Sequence, residues 1–426
     1  MPGFNLIICF LLLLSCNQST SKQQDINTLA EKYVRLGLAI GQYDPDFVDA
    51  YYGPDSLKPL QAKGVVFPKD SLLNEVNVLI NQLRAVTGND TARLRAGWMQ
   101  KQLVAFGRRI KIFSGELKSF DEETKDLFNV QAPVYSEKYF QSVISSLDSL
   151  LPGKGNIVDR FTALSHHFLI PPDKVDTVIK TALAESRRRT LQHYQLPADE
   201  NFTLEFVTNK PWSGYNWYKG HYQSLIQVNT DLKIFIERAI DVASHESYPG
   251  HHVYNMLLEK NLYHDKGWVE ISLYPLFSPQ SLIAEGSANY GIDLAFPGSD
   301  KLDFTRKVLL PLAGMDTTGI ATYFKVLPIK GRLNYVRNEV ARGLFNNTMT
   351  EAEALRWLTQ YGLSDAEGAA KSLSFIKKYR GYVLNYNYGL DLVRNYIQKQ
   401  AGTNEEARWK AFAKLLSTEV TPSELQ

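Results

Sequence analysis

Three of the chain's eight histidines fall in one short stretch, Ser244-His245-Glu246-Ser247-Tyr248-Pro249-Gly250-His251-His252. Neutral imidazole is a common ligand for zinc, and a carboxylate beside it can take and return a proton. Histidines four apart on a helix lie about 40° from each other around the axis, close enough to grip one ion. In this stretch His251 and His252 stand six and seven residues beyond His245. An ideal helix would put His251 about 120° from His245 and His252 about 20° from it. Pro249 removes a backbone donor and Gly250 loosens the chain, so ideal geometry is not expected to persist here. A bulge absorbing two residues would bring His251 to the ion, whereas a straight helix would bring His252.

The elements around the stretch decide whether it can act. Asp231 to Glu246 reads as a helix, because Leu232, Phe235, Ile236, Ala239, Ile240 and Ala243 trace one apolar stripe. Glu246 continues that stripe, aiming a carboxylate where the pattern expects a hydrophobe; such a group usually has a proton, a cation or a task. Ser278-Pro279 opens a second helix, with an N-cap residue followed by proline. Glu285 falls in the middle of its apolar residues Leu282, Ile283, Ala284, Ala288, Ile292 and Leu294. Upstream, the residues from 25 to about 200 read as helices: Leu29, Tyr33, Leu36 and Ile40 mark one, and 72–86, 92–113, 136–150 and 173–194 follow. Phe202 to Val207 and Ser224 to Asn229 alternate like strands, with a Gly/Trp/Tyr-rich connection between them. The expected architecture is mainly α, with an N-terminal helical lobe over residues 25–200. A second lobe, 201–426, carries the small antiparallel sheet beside the histidine helix, and the two lobes form either separate units or one continuous domain.

With 426 residues, 44% hydrophobic and 22% charged, the chain can build a substantial core. Lys and Arg number 47 against 45 Asp and Glu, for a net charge of +2, so no basic field points to nucleic acid. Residues 4–15 form an apolar run too short to span a bilayer and right for the core of a signal peptide. The run ends in Leu13-Leu14-Ser15-Cys16, which resembles a bacterial lipobox, with Cys16 the residue that is lipidated. Residues 1–15 then read as signal peptide and 16–24 as a polar tether. The expected place is the bacterial cell envelope, held to a membrane by lipid and facing the periplasm. Only Cys9 and Cys16 are cysteines, so a metal site in the body must be built from His and carboxylates.

His245-Glu246-Ser-Tyr-Pro-Gly-His251 resembles the His-Glu-x-x-Pro-Gly-His motif of the bacterial family called domain of unknown function eight-eight-five, grouped with zincin-type metallopeptidases. Ala284-Glu285-Gly286-Ser287-Ala288-Asn289-Tyr290 is similar to that family's Glu-Gly-Trp-Ala-x-Tyr helix, with Ser287 in place of the tryptophan. Tyr386-Asn387-Tyr388-Gly389 matches its Tyr-x-x-Gly, and Val48-Asp49-Ala50-Tyr51-Tyr52-Gly53-Pro54 resembles its N-terminal part. The resemblance implies a zincin-like fold with His245, His251 and Glu285 holding Zn2+ and Glu246 as general base. It implies Tyr386 as the donor that steadies the developing oxyanion. Arg380 and His252 are further candidates for contact with substrate; around Arg380 the family more often has Pro-Gly-Gln. The implied activity is hydrolysis of a peptide by a zinc-activated water, as a carboxypeptidase or an oligopeptidase. Two other readings stand beside it: an inactive zincin-fold lipoprotein serving as a binding or scaffold protein, and a metallohydrolase of non-peptide amides or esters.

Overall fold

The computed structural model describes residues 25–60, 66–210 and 212–426. The apolar leader, Cys16 and the polar tether lie outside the described residues.

The fold is mainly helical, and its first half runs α1 (Ile26–Gly41), β1 (Val48–Tyr51), α2 (Lys69–Arg84), α3 (Asp90–Phe113), α4 (Phe120–Phe128), α5 (Glu137–Asp148), α6 (Ile157–His166) and α7 (Val175–Leu191). Each helix forms where apolar residues recur at three- and four-residue steps. In α1, Leu29, Tyr33, Leu36 and Ile40 are all buried, and in α3 the side chain of Asn89 accepts from the Ala92 amide to start the helix. Strands β2 (Asn201–Val207), β3 (Gly214–Gly220) and β4 (Gln223–Asn229) follow, then helices α8 (Ile236–Glu246) and α9 (His251–Leu258) and strand β5 (Leu273–Pro275). Helices α10 (Pro279–Ala295), α11 (Asp300–Phe304), α12 (Leu310–Ala313), α13 (Ile320–Gly331), α14 (Val336–Phe345), α15 (Glu351–Gln360), α16 (Ala366–Tyr379), α17 (Tyr388–Ala401) and α18 (Glu405–Leu416) complete it.

The small sheet lies beside α8, in the order β2-β4-β3. The Gly/Trp/Tyr-rich connection is itself the strand β3, which pairs antiparallel with β4, while β2 runs parallel to β4. The β3–β4 turn is His221-Tyr222, both at positive φ (53° and 58°), the backbone that a two-residue hairpin requires. Helix α8 starts later than its apolar pattern suggests. Residues before Ile236 pair instead with the segment after α6: Ile170 donates to the Ile234 carbonyl at 3.0 Å and Ile236 to the Phe168 carbonyl at 2.8 Å.

A single cluster of buried apolar side chains takes in residues from both sides of position 200, from Leu29 and Phe106 to Ile240, Leu282 and Val393. Strand β1 reaches across to pair antiparallel with β5, with Ala50 opposite Tyr274, 224 residues on. That pairing brings the N-terminal stretch against the centre formed by α8, α9 and α10.

Candidate metal centre

Helix α8 delivers His245 and Glu246 at its C-terminal end. The chain does not bulge there: α8 stops at Glu246, passes through Ser247 to Gly250 with a cis Tyr248–Pro249 bond, and restarts as α9 at His251. Gly250 is required because a β-carbon on it would collide with the carbonyl of His245. The sharp turn brings the two imidazoles together with their ring planes 85° apart and His251 Nε2 3.2 Å from His245 Nε2.

Helix α10 supplies the third group. Glu285 Oε2 lies 3.3 Å from His245 Nε2 and 3.8 Å from His251 Nε2. One ligand atom from each of the three residues falls within 4.8 Å of the others. Glu285 Oε1 accepts from the Tyr382 hydroxyl at 2.8 Å, but Oε2 is buried without a hydrogen-bond partner. A buried carboxylate oxygen left without a donor is costly, and two imidazole nitrogens aimed at the same point do not satisfy it. A divalent cation of His and carboxylate preference would satisfy all three atoms together, so the donor set fits zinc. Asn289, one turn along α10, has its Oδ1 3.2 Å from His245 Nδ1, which orients that ring for ligation through Nε2.

The electrostatics suit ligation. Burial pushes the His251 imidazole down to about 4, leaving it neutral. Burial also disfavours the charged form of His245, but the carboxylates of Glu285 and Glu246 outweigh it and raise that ring's pKa. Burial would raise Glu285, yet His245, His251 and the Tyr382 hydroxyl hold it below its ordinary value. Glu246 is pushed up to about 7, first by burial and also by the charge of Glu285. It is 7% exposed and has no arginine or lysine bonded to it among the described residues, so it is placed to exchange a proton near neutrality.

The other residues singled out from the sequence fall in three different places. Tyr386 lies at the mouth of the centre, 37% exposed; its carbonyl accepts from Asn289 Nδ2 at 3.2 Å, and burial, Glu285 and Glu246 together keep its phenol protonated. His252 points away from His251. It is fully buried between Ser224 Oγ, 2.8 Å from its Nδ1, and Glu200 Oε2, 3.1 Å from its Nε2. This Ser-His-Glu chain has the connectivity of a nucleophilic triad, but Ser224 is 4% exposed and no substrate reaches it. Arg380, expected at substrate, is bound in a two-pronged pair to the fully buried Glu123, at 2.9 Å on each arm, and stacks on Phe345. Its donors are therefore committed within the protein.

Sequence reasoning missed several contributors. Asp49 on β1 accepts from the hydroxyl of Tyr215 on β3, and burial pushes its carboxyl up to about 6, with the charge of Glu285 adding to the rise. Beside Tyr215, Gly214 brings the strand so close to α8 that a β-carbon there would lie 3.0 Å from Glu246 Oε1. Asn216, next along, donates to the Glu246 carbonyl at 2.7 Å and closes the helix end. Tyr382 is another, through its bond to Glu285. Asp49 sits inside the Val48–Pro54 resemblance, so a signal existed, but nothing in the sequence links it to Tyr215.

No protein-family model matches the chain, and no curated protein matches its sequence. Among solved structures, the chain is similar in fold to a protein from Colwellia psychrerythraea provisionally described as a lipoprotein, at TM-score 0.50 and 12% identity over 80% of this chain. It spans 66% of that chain, just under two thirds. It is also matched with Trypanosoma cruzi metallocarboxypeptidase 1, at TM-score 0.47 and 11% identity, covering 94% of this chain and 93% of that one. A third match, at TM-score 0.44 and 11% identity, is a lipoprotein of unknown function from Shewanella oneidensis, covering 83% and 73%.

Proposed function

We propose that the protein is a zinc-dependent hydrolase of peptide bonds, with His245, His251 and Glu285 as the zinc ligands and Glu246 as general base. The observation that carries this reading is the convergence of two imidazole nitrogens on an unpartnered, buried Glu285 oxygen. Zinc bound there would act as a Lewis acid and lower the pKa of a water. Glu246, with a carboxyl tuned near neutrality, takes the proton from the attacking water and returns it to the leaving amine. Tyr386 keeps its phenolic proton and offers it to the carbonyl oxygen as negative charge grows there. Asp49 holds Tyr215 in place beside the same centre. Cys16 is the proposed point of lipid attachment, which would hold the protein at a membrane surface on the periplasmic side; no helix among the described residues is long and apolar enough to cross a membrane.

The reading is tested with purified protein and a mixed peptide library analysed by mass spectrometry. Wild type should carry about one zinc per chain and cleave peptides, and Glu246→Gln should keep the metal while losing at least about 100-fold in rate. Zinc-free, folded protein from zinc-supplied cells would remove the metallopeptidase reading. Zinc-loaded protein that cleaves ester or non-peptide amide probes and no peptide would move the activity to those substrates.

A further inference from the structure

We propose that Asp49, with the ring of Tyr215 beside it, forms a cation subsite bordering the metal centre and binds an ammonium group of the substrate. This assignment rests on the hydrolytic reading given above and adds the substrate class to it.

Asp49 is the extra residue of a bulge in β1: Val48 stands opposite Pro275 and Ala50 opposite Tyr274, so Asp49 has no partner across the ladder. A bulge bends its strand and re-aims the side chain it carries. Here the carboxylate is aimed at β3, where Oδ1 accepts from the Tyr215 hydroxyl. The same stretch of β3 borders the general base. A β-carbon on Gly214 would lie 3.0 Å from Glu246 Oε1, and Asn216 donates to the Glu246 carbonyl at 2.7 Å. On its other side β1 pairs with β5, which leads into α10 and so to Glu285. Asp49 therefore stands where the strand beside Glu246 meets the strand that leads to Glu285. The charges agree with that placement, since the Glu246 carboxyl feels Asp49 and the Asp49 carboxyl feels Glu285.

The carboxylate has no counter-charge. Asp44 and Asp46, on the same stretch of chain, are paired with Arg109 and Lys378, whereas Asp49 pairs with no Lys, Arg or His among the described residues. Its Oδ2 has no hydrogen-bond partner among them either, yet the residue is half-buried and that oxygen is not sealed from solvent as Glu285 Oε2 is. A carboxylate that has lost part of its water and has no paired cation is stabilised by an incoming one. Tyr215 supplies the other half of the subsite. Its ring stands in a row with Trp212 and Trp217, with centroids 5.5 and 4.5 Å away, and the protein's own Lys219 ammonium lies 5.6 Å from the centre of the Trp217 ring. Aromatic rings of this kind attract an ammonium and give its methylene stem an apolar surface to lie on. An ammonium can come from a peptide's N-terminus or from a lysine side chain, and the chemistry at Asp49 is the same for both.

The test uses the full chain carrying Glu246→Gln, loaded with zinc, so that peptides bind without turnover. Calorimetry would compare an uncharged norleucine-containing hexapeptide blocked at both ends, the same peptide with a free N-terminus, and the blocked peptide with lysine in place of norleucine. The expected result is that one or both ammonium peptides bind at least about tenfold tighter than the blocked neutral peptide. Preference for the free N-terminus alone identifies the α-ammonium, and preference for the lysine peptide identifies the side chain. Adding Asp49→Asn keeps an oxygen for the Tyr215 hydroxyl and removes the charge. It should bring the ratio of affinities to about one at an unchanged melting temperature. Equal binding of all three peptides, no binding of any, or a preference that survives Asp49→Asn would overturn the assignment. Ammonium preference that Asp49→Asn abolishes, together with no turnover by zinc-loaded wild type, would instead remove the hydrolytic reading and leave the cation subsite. Turnover without preference would do the reverse.

Discussion

Adjacent residues in this protein take opposite duties because they stand about 100° apart around the first turn of α9. His251 turns to His245 and Glu285, while His252 turns into the protein to Glu200 and Ser224. Burial tends to raise Glu200, but the bonds from His252, Tyr248 and Arg187 outweigh it and hold the carboxyl down to about 2. A depressed carboxyl stabilises the fold above its ordinary pKa of 4.5 and loses that contribution as pH falls toward 2. Glu200→Gln should therefore lower the melting temperature clearly at pH 7, and the gap to wild type should close as pH is taken from 4.5 toward 2. A gap that is constant with pH would show that the charge of Glu200 contributes nothing. At the metal, Tyr382→Phe removes the hydroxyl that holds Glu285 Oε1 and should weaken zinc binding by about 10- to 100-fold without unfolding the chain, read by competition with a chelator. Unchanged zinc affinity would mean that Glu285 needs no such support. The three clustered groups were legible in the sequence, since His245, His251 and Glu285 stand with one ligand atom each within 4.8 Å of the others. The choice between His251 and His252 was not, because it depends on how the chain crosses Pro249 and Gly250 rather than on helical periodicity.

At the level of elements, the centre depends on helices that approach more closely than side chains allow. Gly286, next to Glu285 on α10, faces Gly389 on α17, and a β-carbon on Gly286 would collide with the Gly389 carbonyl. Since backbone is the obstacle, the helices must move apart, and Gly286→Ala should cost about 2 kcal/mol of stability and shift Glu285 away from the histidines. Thermal unfolding and zinc titration read both effects. A variant as stable as wild type, with the same zinc affinity, would contradict this close packing of α10 on α17. Most helices were readable from their apolar steps, as in α1 and α3, and so were the flanks β2 and β4. Strand β3 was hidden because its hairpin turn is His221-Tyr222, which carries none of the Asn-Gly or Asp-Gly signature of such turns. The start of α8 was misplaced because Leu232 and Phe235 continue its apolar step while the backbone from Ile234 to Ile236 pairs with Phe168 to Ile170.

For the whole molecule, the N-terminal stretch completes the site that the C-terminal half builds. The Asp49–Tyr215 bond spans 166 residues and the β1–β5 pairing more than 220, and sequence patterns carry no information on such partners. The shared core on both sides of residue 200 leads us to expect one cooperative unfolding transition rather than two. Saturating zinc, free at about 100 times its dissociation constant, should raise stability by about 2.7 kcal/mol, seen as a higher melting temperature for the whole transition. Two transitions, with zinc shifting only one, would show separate lobes. The central claim, that His245, His251 and Glu285 together hold one metal ion, is tested most directly by zinc content after mild dialysis of wild type, His251→Ala and His252→Ala. The account predicts about one zinc per chain in wild type and in His252→Ala, whose loss should appear as lower stability, and almost none in His251→Ala. Zinc retained by folded His251→Ala and lost from folded His252→Ala would contradict it.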